Sequence, residues 1–434
     1  MTLPFSKHAL ANGLDVILHE DHACPIVAVN VWYHVGSKNE HPGHTGFAHL
    51  FEHLMFEGSE HHDHGYFQPL QGAGGTLNGS TNADRTNYWE VVPANALELA
   101  LWMESDRMGY LLPALTDAKF TNQRDVVLNE RRQNYENRPY GLAPMAMLAA
   151  LFPPEHPYHW TTIGEVEDLK ATRLDEVHAF FRRYYHPANA SLAIAGDFDP
   201  ESALALADRY FGEIPPGDRV LPVQASATLS RDVRVYFEDR VELPRLYIGW
   251  LTPAMFAPGD ADLDLASDLL ANGKTSRLYR RLVFDERIAT DVSAAQNSRE
   301  IAGYCQIVAT AAPGHRLDEI EAVVLEEIAR LAVEGPTSDE MERGRAQAES
   351  QFIFRLQTVG GFGGKSDQLN AYNVFTGDPA YFTHDLERYR SVTPDSMRQA
   401  VRRFFDRDAR VTLSVVPKGR AALAVRESTE IAVS

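Results

Sequence analysis

The residues best suited to chemistry in this chain are His49, Glu52 and His53, which lie within one mainly apolar stretch, 47–54. The two histidines are four residues apart, so on a helix they lie on the same face, one turn above the other. Two imidazoles placed in this way can bind one tetrahedral Zn²⁺. Glu52 directly precedes His53 and flanks the same face, where it can contact a water on the metal without being a ligand.

This order, His-x-x-Glu-His, is the inverted form of the zinc-peptidase motif. The alternative is a pair of solvated or hydrogen-bonded helix histidines. A zinc site also needs a third protein ligand, and the predicted helix 116–135 offers Glu130, close to the apolar residues Val126 and Val127. An unpaired carboxylate among apolar neighbours is costly, so we expect Glu130 to have a partner. That partner is either the metal or a neighbouring arginine.

Two other runs have the composition of ligand-binding loops. Glu60-His61-His62-Asp63-His64 has more potential metal ligands, but it lies in a polar loop without fixed geometry, so an exposed loop is the favoured interpretation. The glycine-rich run 360–364 lacks the Gly-Lys-Ser/Thr ending of a phosphate-binding loop, and we interpret it as a flexible hinge.

The pattern around the histidines predicts the helix that must position them. Its apolar residues have the i, i+3, i+4, i+7 spacing of one buried face: Phe47, Leu50, Phe51 and Leu54. Thr45 is the predicted N-cap, and Gly58 marks the predicted end. Elsewhere, the patterns predict strands at 14–18, 26–31, 76–81, 86–92 and 191–195 and helices at 95–110, 116–135 and 174–185.

The second half of the chain repeats the first. Residues 16–32 and 235–250 both read as strand, Glu-Asp, short loop, proline, strand and tryptophan, with an offset of 219 at their first residues. An aromatic pair precedes a later strand by seven residues in each half, at 184–185 and 404–405, with an offset of 220. A near-constant offset indicates a duplicated domain. We therefore predict two homologous α+β domains, each a mixed or antiparallel sheet flanked by helices, at 1–214 and 232–434, joined by a Pro-, Gly- and Ser-rich linker, 215–231.

The two copies differ in their potential for metal binding. With an offset of about 218, the residues that correspond to His49, Glu52 and His53 are Ser267, Leu270 and Ala271. The second copy is thus predicted to keep the fold without a metal site.

Composition narrows the classes of partner and site. The 434 residues include 41 Lys+Arg and 60 Asp+Glu, a net charge of −19, which disfavours nucleic acid and anionic membranes and favours cationic partners such as basic peptides. The two cysteines, Cys24 and Cys305, cannot form a disulfide framework or a cysteine metal site, so any metal must use His and carboxylate. No apolar run is long enough to cross a membrane, so we expect a soluble protein. The N-terminal residues lack an export signal, although a protein whose signal had been removed would look the same.

Taken together, these motifs resemble the pitrilysin/insulinase metallopeptidase family, specifically its short two-domain branch that includes mitochondrial processing peptidase and its bacterial relatives. The resemblance covers nearly the whole chain. Glu130 follows His53 after 76 intervening residues, which is the family's spacing for the third ligand. The further matching motifs are Gly75-Thr76-Leu77-Asn78, Asp84-x-Thr86-x-Tyr88, Asn129-Glu130-Arg131-Arg132, His156-Pro157-Tyr158 and Ile163-Gly164.

The resemblance implies an endopeptidase with one Zn²⁺ per chain, held by His49, His53 and Glu130. It implies that Glu52 is the general base for a zinc-activated water, and that peptides or unfolded polypeptides are cut in a chamber of which this chain forms half of a clamshell. It also implies that substrate pairs as an added strand with the sheet edge at Leu77, Asn78, Gly79 and Ser80. The alternative at Asn78 and Gly79 is a simple turn or bulge.

Two departures from the family pattern affect the predicted mechanism. Many members have a second Glu seven residues before the third ligand, where this chain has Gln123. Active members also carry an Arg and, seven residues later, a Tyr in the second domain, to hold the substrate carbonyl and the oxyanion. The aligned positions here are Val283 and Thr290, which cannot do this. We therefore predict a heterodimer with a zinc-less homologue that supplies the Arg/Tyr pair, in preference to a homodimer.

The alternative function is a non-catalytic structural or peptide-binding subunit of a similar complex. Family members of that kind have usually lost the motif, which is intact here. The resemblance favours the bacterial periplasm, with the signal removed, and the cytoplasm is the alternative compartment.

Overall fold

The computed structural model of the chain describes residues 3–405 and 408–433. The chain forms two compact units. The first contains the chain up to Asn129 together with Thr162–Val223 and Gln351–His384. The second contains Glu130–Thr161, Gln224–Ser350 and the chain from Asp385. One unit boundary, between Asn129 and Glu130, falls inside a continuous helix, so all but the last two residues of that helix belong to the first unit.

A six-stranded mixed sheet forms the centre of the first unit, with the strand order β1-β2-β6-β3-β5-β4. β2 pairs with β6 in parallel, and the other neighbours are antiparallel. The strands are β1 (Ser6–Ala9), β2 (Asp15–Glu20), β3 (Ile26–Tyr33), β4 (Thr76–Thr81), β5 (Thr86–Pro93) and β6 (Ala190–Gly196). All five strands predicted for this half are present, with ends that differ by one or two residues.

The helices of the first half of the chain include the one that carries both histidines. They are α1 (Phe47–Leu54), α2 (Phe67–Gly72), α3 (Leu97–Ala114), α4 (Asp117–Arg131), α5 (Ala143–Leu151), α6 (Val166–Ala171), α7 (Leu174–Tyr184) and α8 (Pro200–Phe211). The predicted helix 116–135 is present as α4 followed by a π-helical turn, Arg132–Glu136. Because α1 ends at Leu54, it is shorter than predicted; Gly58 lies in the following turn with a φ of 104°.

The second sheet has the order β12-β7-β11-β8-β10-β9 and repeats the topology of the first in five of its six strands. Its strands are β7 (Val233–Asp239), β8 (Arg245–Thr252), β9 (Ala289–Asn297), β10 (Gly303–Ala311), β11 (Val411–Pro417) and β12 (Thr429–Glu430). Again one inner strand pair is parallel, β7 with β11, and β11 with β8 is antiparallel. The sixth strand differs, because β12 is last in the chain and pairs with β7 in parallel, whereas β1 is first and pairs with β2 antiparallel. The shared order of five strands confirms the predicted α+β fold with two copies of one design.

The remaining helices lie in the second half of the chain. They are α9 (Asp260–Ala271), α10 (Leu317–Glu334), α11 (Ser338–Arg355), α12 (Lys365–Thr376), α13 (Phe382–Ser391) and α14 (Pro394–Phe404). Within 3–405 and 408–433, every helix is too short or too polar to cross a lipid bilayer.

The compact units differ from the predicted boundaries 1–214 and 232–434 by an exchange of two segments. Residues 130–161 bring α5 against β8 and β11, and residues 351–384 bring α12 against β3 and β6. The second exchange has a clear physical basis, because Asp367 on α12 accepts hydrogen bonds from Trp32 Nε1 (2.8 Å) and Asn87 Nδ2 (3.0 Å) of the first sheet. Such pairings depend on tertiary contacts that a sequence offset does not reveal.

The packing of the first sheet explains which face supports the histidine helix. Cross-strand partners share a face, so Tyr88 and Glu90 of β5 lie on the side of Leu77 and Gly79, and Trp89 lies on the opposite side. The Tyr88 hydroxyl donates to the carbonyl of Phe51 in α1 (3.3 Å), which places α1 on the Tyr88 side.

Candidate metal centre

A buried glutamate outside helix α1, rather than the predicted cap residue, accepts hydrogen bonds from the backbone amides at the start of the helix. Gly46, the N-cap, has a φ of 89°, which favours glycine, and it provides no side chain to cap the helix. Glu40 instead accepts hydrogen bonds from the backbone amides of Gly46 (2.9 Å) and Ala48 (2.8 Å). The prediction that Thr45 is the N-cap was therefore wrong: its hydroxyl donates to Asp168 (2.7 Å) and accepts from the amide of Glu165 (2.8 Å).

The apolar face of α1 is fully packed, as its spacing predicted. Four side chains are at most 4% exposed: Phe47, Leu50, Phe51 and Leu54. Phe51 contacts the rings of Phe180 and Tyr185 at centroid distances of 5.7 and 5.0 Å. His49, Glu52 and His53 lie beside this face and are half-buried. The helix therefore holds the three polar side chains rigidly at the border between core and solvent.

The structure brings the three predicted metal ligands together. One ligand atom from each of His49, His53 and Glu130 lies within 4.8 Å of the other two. The two imidazole rings have centroids 4.9 Å apart and planes at 80°. No other group of three or more His, Cys, Asp or Glu side chains in the described part of the chain is close enough to hold a metal ion.

Glu130 reaches the histidines from the end of α4, where the helix changes to a π-helical turn. Asn134 in that turn donates a hydrogen bond to Glu130 Oε1 (3.3 Å) and so helps to fix the carboxylate. Sequence reasoning missed Asn134, although its i+4 spacing from Glu130 on a predicted helix was a usable signal. Only one of the two apolar neighbours expected to surround Glu130 is in the core, because Val127 is buried but Val126 is 40% exposed.

The donor set fits zinc. Two imidazole nitrogens and one carboxylate oxygen are ligand types that Zn²⁺ binds in catalytic sites, at about 2.0–2.2 Å. Three protein ligands would leave one position on a tetrahedral ion for water or substrate, and all three side chains are only half-buried. The ligand atoms lie within 4.8 Å of one another, so the side chains would close further around a bound ion.

The negative charge of Glu52 acts on several groups around α1. Burial is the main cause that raises the pKa of Tyr88 and Tyr185, and the charge of Glu52 raises both further. Burial lowers the pKa of Arg85, while the charges of Asp367 and Glu52 act in the opposite direction. Arg85 is therefore a nearby cation that sequence analysis did not identify; it donates to the carbonyl oxygen (2.7 Å) and hydroxyl (2.6 Å) of Ser80.

Strand β4, which carries the predicted substrate-binding residues, lies at the end of the sheet order next to α1. Asn78 is exposed, and its side-chain oxygen accepts the backbone amide of Gly79 (2.8 Å). Leu77 is half-buried, and Gly79 is buried where a Cβ would lie 2.9 Å from the Tyr88 ring. The Ser80 hydroxyl donates to Asn87 Oδ1 (2.6 Å). These four residues form a regular strand. The side-chain oxygen of Asn78 and the hydroxyl of Ser80 both form hydrogen bonds within the β4–β5 hairpin.

The competing histidine run is a loop tied to neighbouring helices. His61 Nδ1 lies 2.5 Å from Asp106 Oδ1, and Asp63 forms an ion pair with Lys119. The rings of His62 and His64 are 5.7 Å apart. Its five residues thus do not converge on a common point, consistent with the interpretation as a loop.

Cys24 is exposed and Cys305 is buried, and both are free thiols.

The equivalent helix in the second unit lacks the histidine pair. α9 starts after Gly259, whose φ of 94° matches that of Gly46 before α1. Counted from these two glycines, the residues that correspond to His49, Glu52 and His53 are Asp262, Leu265 and Ala266. The predicted correspondence with Ser267, Leu270 and Ala271 was shifted, because the loop before α9 is shorter than the loop before α1.

The two positions at which the family's Arg/Tyr pair was expected both belong to the chain's second unit. Val283 is half-buried in a π-helical turn, Tyr279–Asp285, and packs against the core of its unit. Thr290 is exposed at the start of β9, and its hydroxyl donates to Asp291 Oδ2 (3.1 Å).

Fold and site together define a protein with two copies of one α+β design and a zinc-type donor set, formed by the two histidines of a His-x-x-Glu-His helix and Glu130 of α4. The family model described as "Insulinase (Peptidase family M16)" matches residues 15–156, and "Peptidase M16 inactive domain" matches residues 172–348. The chain therefore belongs to the pitrilysin/insulinase family of peptidases, M16.

Individual relatives agree with this assignment. The "Zinc protease PqqE" of Helicobacter pylori is 28% identical over 80% of this chain and 79% of its own length. The "Mitochondrial-processing peptidase subunit beta" of Lentinula edodes is 22% identical over 81% of this chain and 78% of its own. The crystal structure of a protease from Helicobacter pylori has the same fold, with a TM-score of 0.88 at 24% identity over 96% of this chain and 100% of that one.

Proposed function

We propose that the chain is a zinc-dependent endopeptidase that hydrolyses peptides or unfolded polypeptides, with one Zn²⁺ held by His49, His53 and Glu130. The observation that carries this proposal is the convergence of these three donors within 4.8 Å. Zinc bound there would act as a Lewis acid, lowering the pKa of bound water towards about 7 and polarising the scissile carbonyl. Similarity to relatives named zinc proteases supports the choice of metal.

In this proposal Glu52 is the general base. It precedes His53 on the same helix, so the rigid backbone of α1 fixes its carboxylate beside the ligand set without using it as a ligand. Glu52 takes the proton of the attacking water and delivers it to the nitrogen of the leaving amine, so that the C–N bond breaks without expelling an amide anion. The net charge of −19 favours basic peptides as substrates.

The substrate is proposed to add as a strand to β4, at Leu77, Asn78, Gly79 and Ser80. Main-chain pairing at a sheet edge gives affinity with little demand on sequence. The position of β4 at the end of the sheet and next to α1 supports this proposal. A peptide on this edge would run beside the histidine helix, as hydrolysis requires.

We further propose that full activity needs a homologous, zinc-less partner chain that supplies an Arg and a Tyr. Val283 and Thr290 offer no equivalent donors, and loss of one oxyanion donor costs about 3 kcal/mol of transition-state stabilisation.

The direct test is peptide hydrolysis by the purified zinc-loaded chain, alone and mixed with a homologue that has the Arg/Tyr pair. We expect weak hydrolysis alone, a rise of at least about 100-fold in the mixture, consistent with the cost of one missing donor, and complete loss with a chelator. Full activity of the single chain would refute the partner requirement. Absence of hydrolysis in both samples, with zinc bound, would instead favour a non-catalytic subunit.

The proposed compartment is the bacterial periplasm. Cell fractionation with an antibody against the native protein tests this, and recovery with cytoplasmic markers would contradict it.

A further inference from the structure

Helix α4, which presents Glu130, has few apolar anchors. Of its fifteen residues, Phe120, Val127, Leu128 and Arg131 are buried. A helix with so little buried surface is only weakly fixed by apolar packing. Other contacts must therefore hold Glu130 at a constant distance from the histidines of α1.

The segment 57–64, which follows α1 after two intervening residues, makes such contacts. Gln123 Nε2 donates a hydrogen bond to Glu57 Oε1, and Lys119 forms an ion pair with Asp63. Lys119 and Gln123 are one helical turn apart, and Glu130 follows Gln123 by seven residues, so all three lie on one face of α4. The face that presents Glu130 is therefore the face that the segment contacts.

The segment is itself anchored to helix α3. Ser59 donates its hydroxyl hydrogen to Asp106, a residue only 3% exposed, and His61 Nδ1 pairs with the other oxygen of this carboxylate. The backbone amide of Glu60 donates to the carbonyl of Tyr110 (3.0 Å). At Gly58, a Cβ would lie 2.9 Å from the carbonyl oxygen of His62, so the turn admits little other than glycine. A segment fixed in this way can hold α1 and α4 at one spacing.

We propose that residues 57–64 act as a brace that sets the spacing between the histidine helix and the Glu130 helix, with the Glu57–Gln123 hydrogen bond as its main contact. The Asp63–Lys119 pair is the weaker contact, because Asp63 is 56% exposed and surface ion pairs contribute little. Glu57 and Gln123 are half-buried, and the acceptor is a carboxylate, which strengthens the bond. Both are positioning residues, and the inference rests on the zinc site proposed above.

The test measures zinc affinity of the metal-free full chain by competition with a chromogenic chelator, which needs no catalysis. Replacing Gln123 with leucine, which has similar volume and no donor, should weaken zinc binding about tenfold, the lower end for partners outside the ligand set. The exchange variant Glu57→Gln/Gln123→Glu keeps the net charge and restores the bond in the opposite direction, so its Kd should stay within about twofold of wild type. The matched control is Asn122→Leu, which removes an exposed amide one position earlier on α4.

Thermal unfolding in the presence of a chelator separates positioning from folding. We expect the metal-free variants to unfold within a few degrees of wild type. An unchanged Kd for Gln123→Leu would overturn the inference, as would an exchange variant that binds zinc as weakly as Gln123→Leu. If wild type itself bound no zinc, the proposed function would fail first, so the two failures are distinguishable.

Discussion

The Glu40 carboxylate accepts a hydrogen bond from the backbone amide of Ala48 at 2.8 Å and thereby caps the helix that carries both histidines. Glu40 lies seven residues before the first residue of this helix. Glu40 is 4% exposed, so its negative charge lies buried at the positive end of the α1 dipole. A helix of only eight residues depends strongly on such a cap. The position of His49, one residue beyond Ala48, thus depends on Glu40.

Replacing Glu40 with alanine should destabilise the chain and weaken zinc binding together. The two lost hydrogen bonds and the lost charge at the helix end predict a decrease of about 2 kcal/mol in the free energy of unfolding. Glu40→Gln retains one acceptor oxygen, so its free energy of unfolding should decrease by less than that of Glu40→Ala. Urea unfolding checks this, with the exposed Glu213→Ala as control; equal stability of Glu40→Ala and the control would show that the cap is unimportant.

The buried acid pair Glu90 and Glu104 predicts an unusual pH dependence. Both are fully buried near Arg107, which pairs with Glu104, and burial followed by the charge of Glu104 raises the pKa of Glu90 well above its usual value. The folded state therefore keeps the proton of Glu90 to a higher pH than the unfolded chain, in which the carboxyl ionises above pH ~4.3. Because the folded state binds the extra proton, stability falls as the pH rises above that value.

Glu90→Gln removes the titrating carboxyl and with it this loss of stability at higher pH. Relative to wild type, the variant should gain stability between pH 5 and 8, by up to about 1.4 kcal/mol per pH unit while the folded protein alone holds the proton. Unfolding free energies of both proteins across this range provide the measurement. Parallel pH profiles would mean that Glu90 is ionised in the folded protein.

Asn134 is predicted to tune the third ligand without binding metal. Its amide donates to Glu130 Oε1 at 3.3 Å from the π-helical turn that follows α4. Because this bond is long and Asn134 is exposed, Asn134→Ala should weaken zinc binding only about fivefold, below the usual range for such partners. Gln133→Ala, an exposed amide in the same turn, is the control, and identical dissociation constants for the two variants would exclude this role.

Local patterns allowed most of the site to be predicted from the sequence. Helical periodicity placed His49, Glu52 and His53 beside the buried face of α1, and a residue spacing typical of the family identified Glu130. The cap at Glu40 was missed because its residue lies outside the helix and reaches it through a loop. The contacts of Glu57 and Asn134 were missed for a similar reason. The hydrogen bond of Glu57 connects the turn after α1 to α4, and that of Asn134 depends on a π-helical turn. The exchange of 130–161 and 351–384 between the units depends on contacts such as Asp367 with Trp32, between residues more than 300 positions apart.

The most direct test of the central claim compares Glu52→Gln with Glu130→Gln. In both, we would measure bound zinc by elemental analysis and peptide hydrolysis in the presence of the partner homologue. Since Glu52 is proposed to move a proton and Glu130 to bind the metal, Glu52→Gln should retain one zinc per chain and lose hydrolysis by at least about 100-fold, as expected for a general base. Glu130→Gln should lose most of the zinc. Undiminished hydrolysis by Glu52→Gln, or full zinc content in Glu130→Gln, would contradict the account.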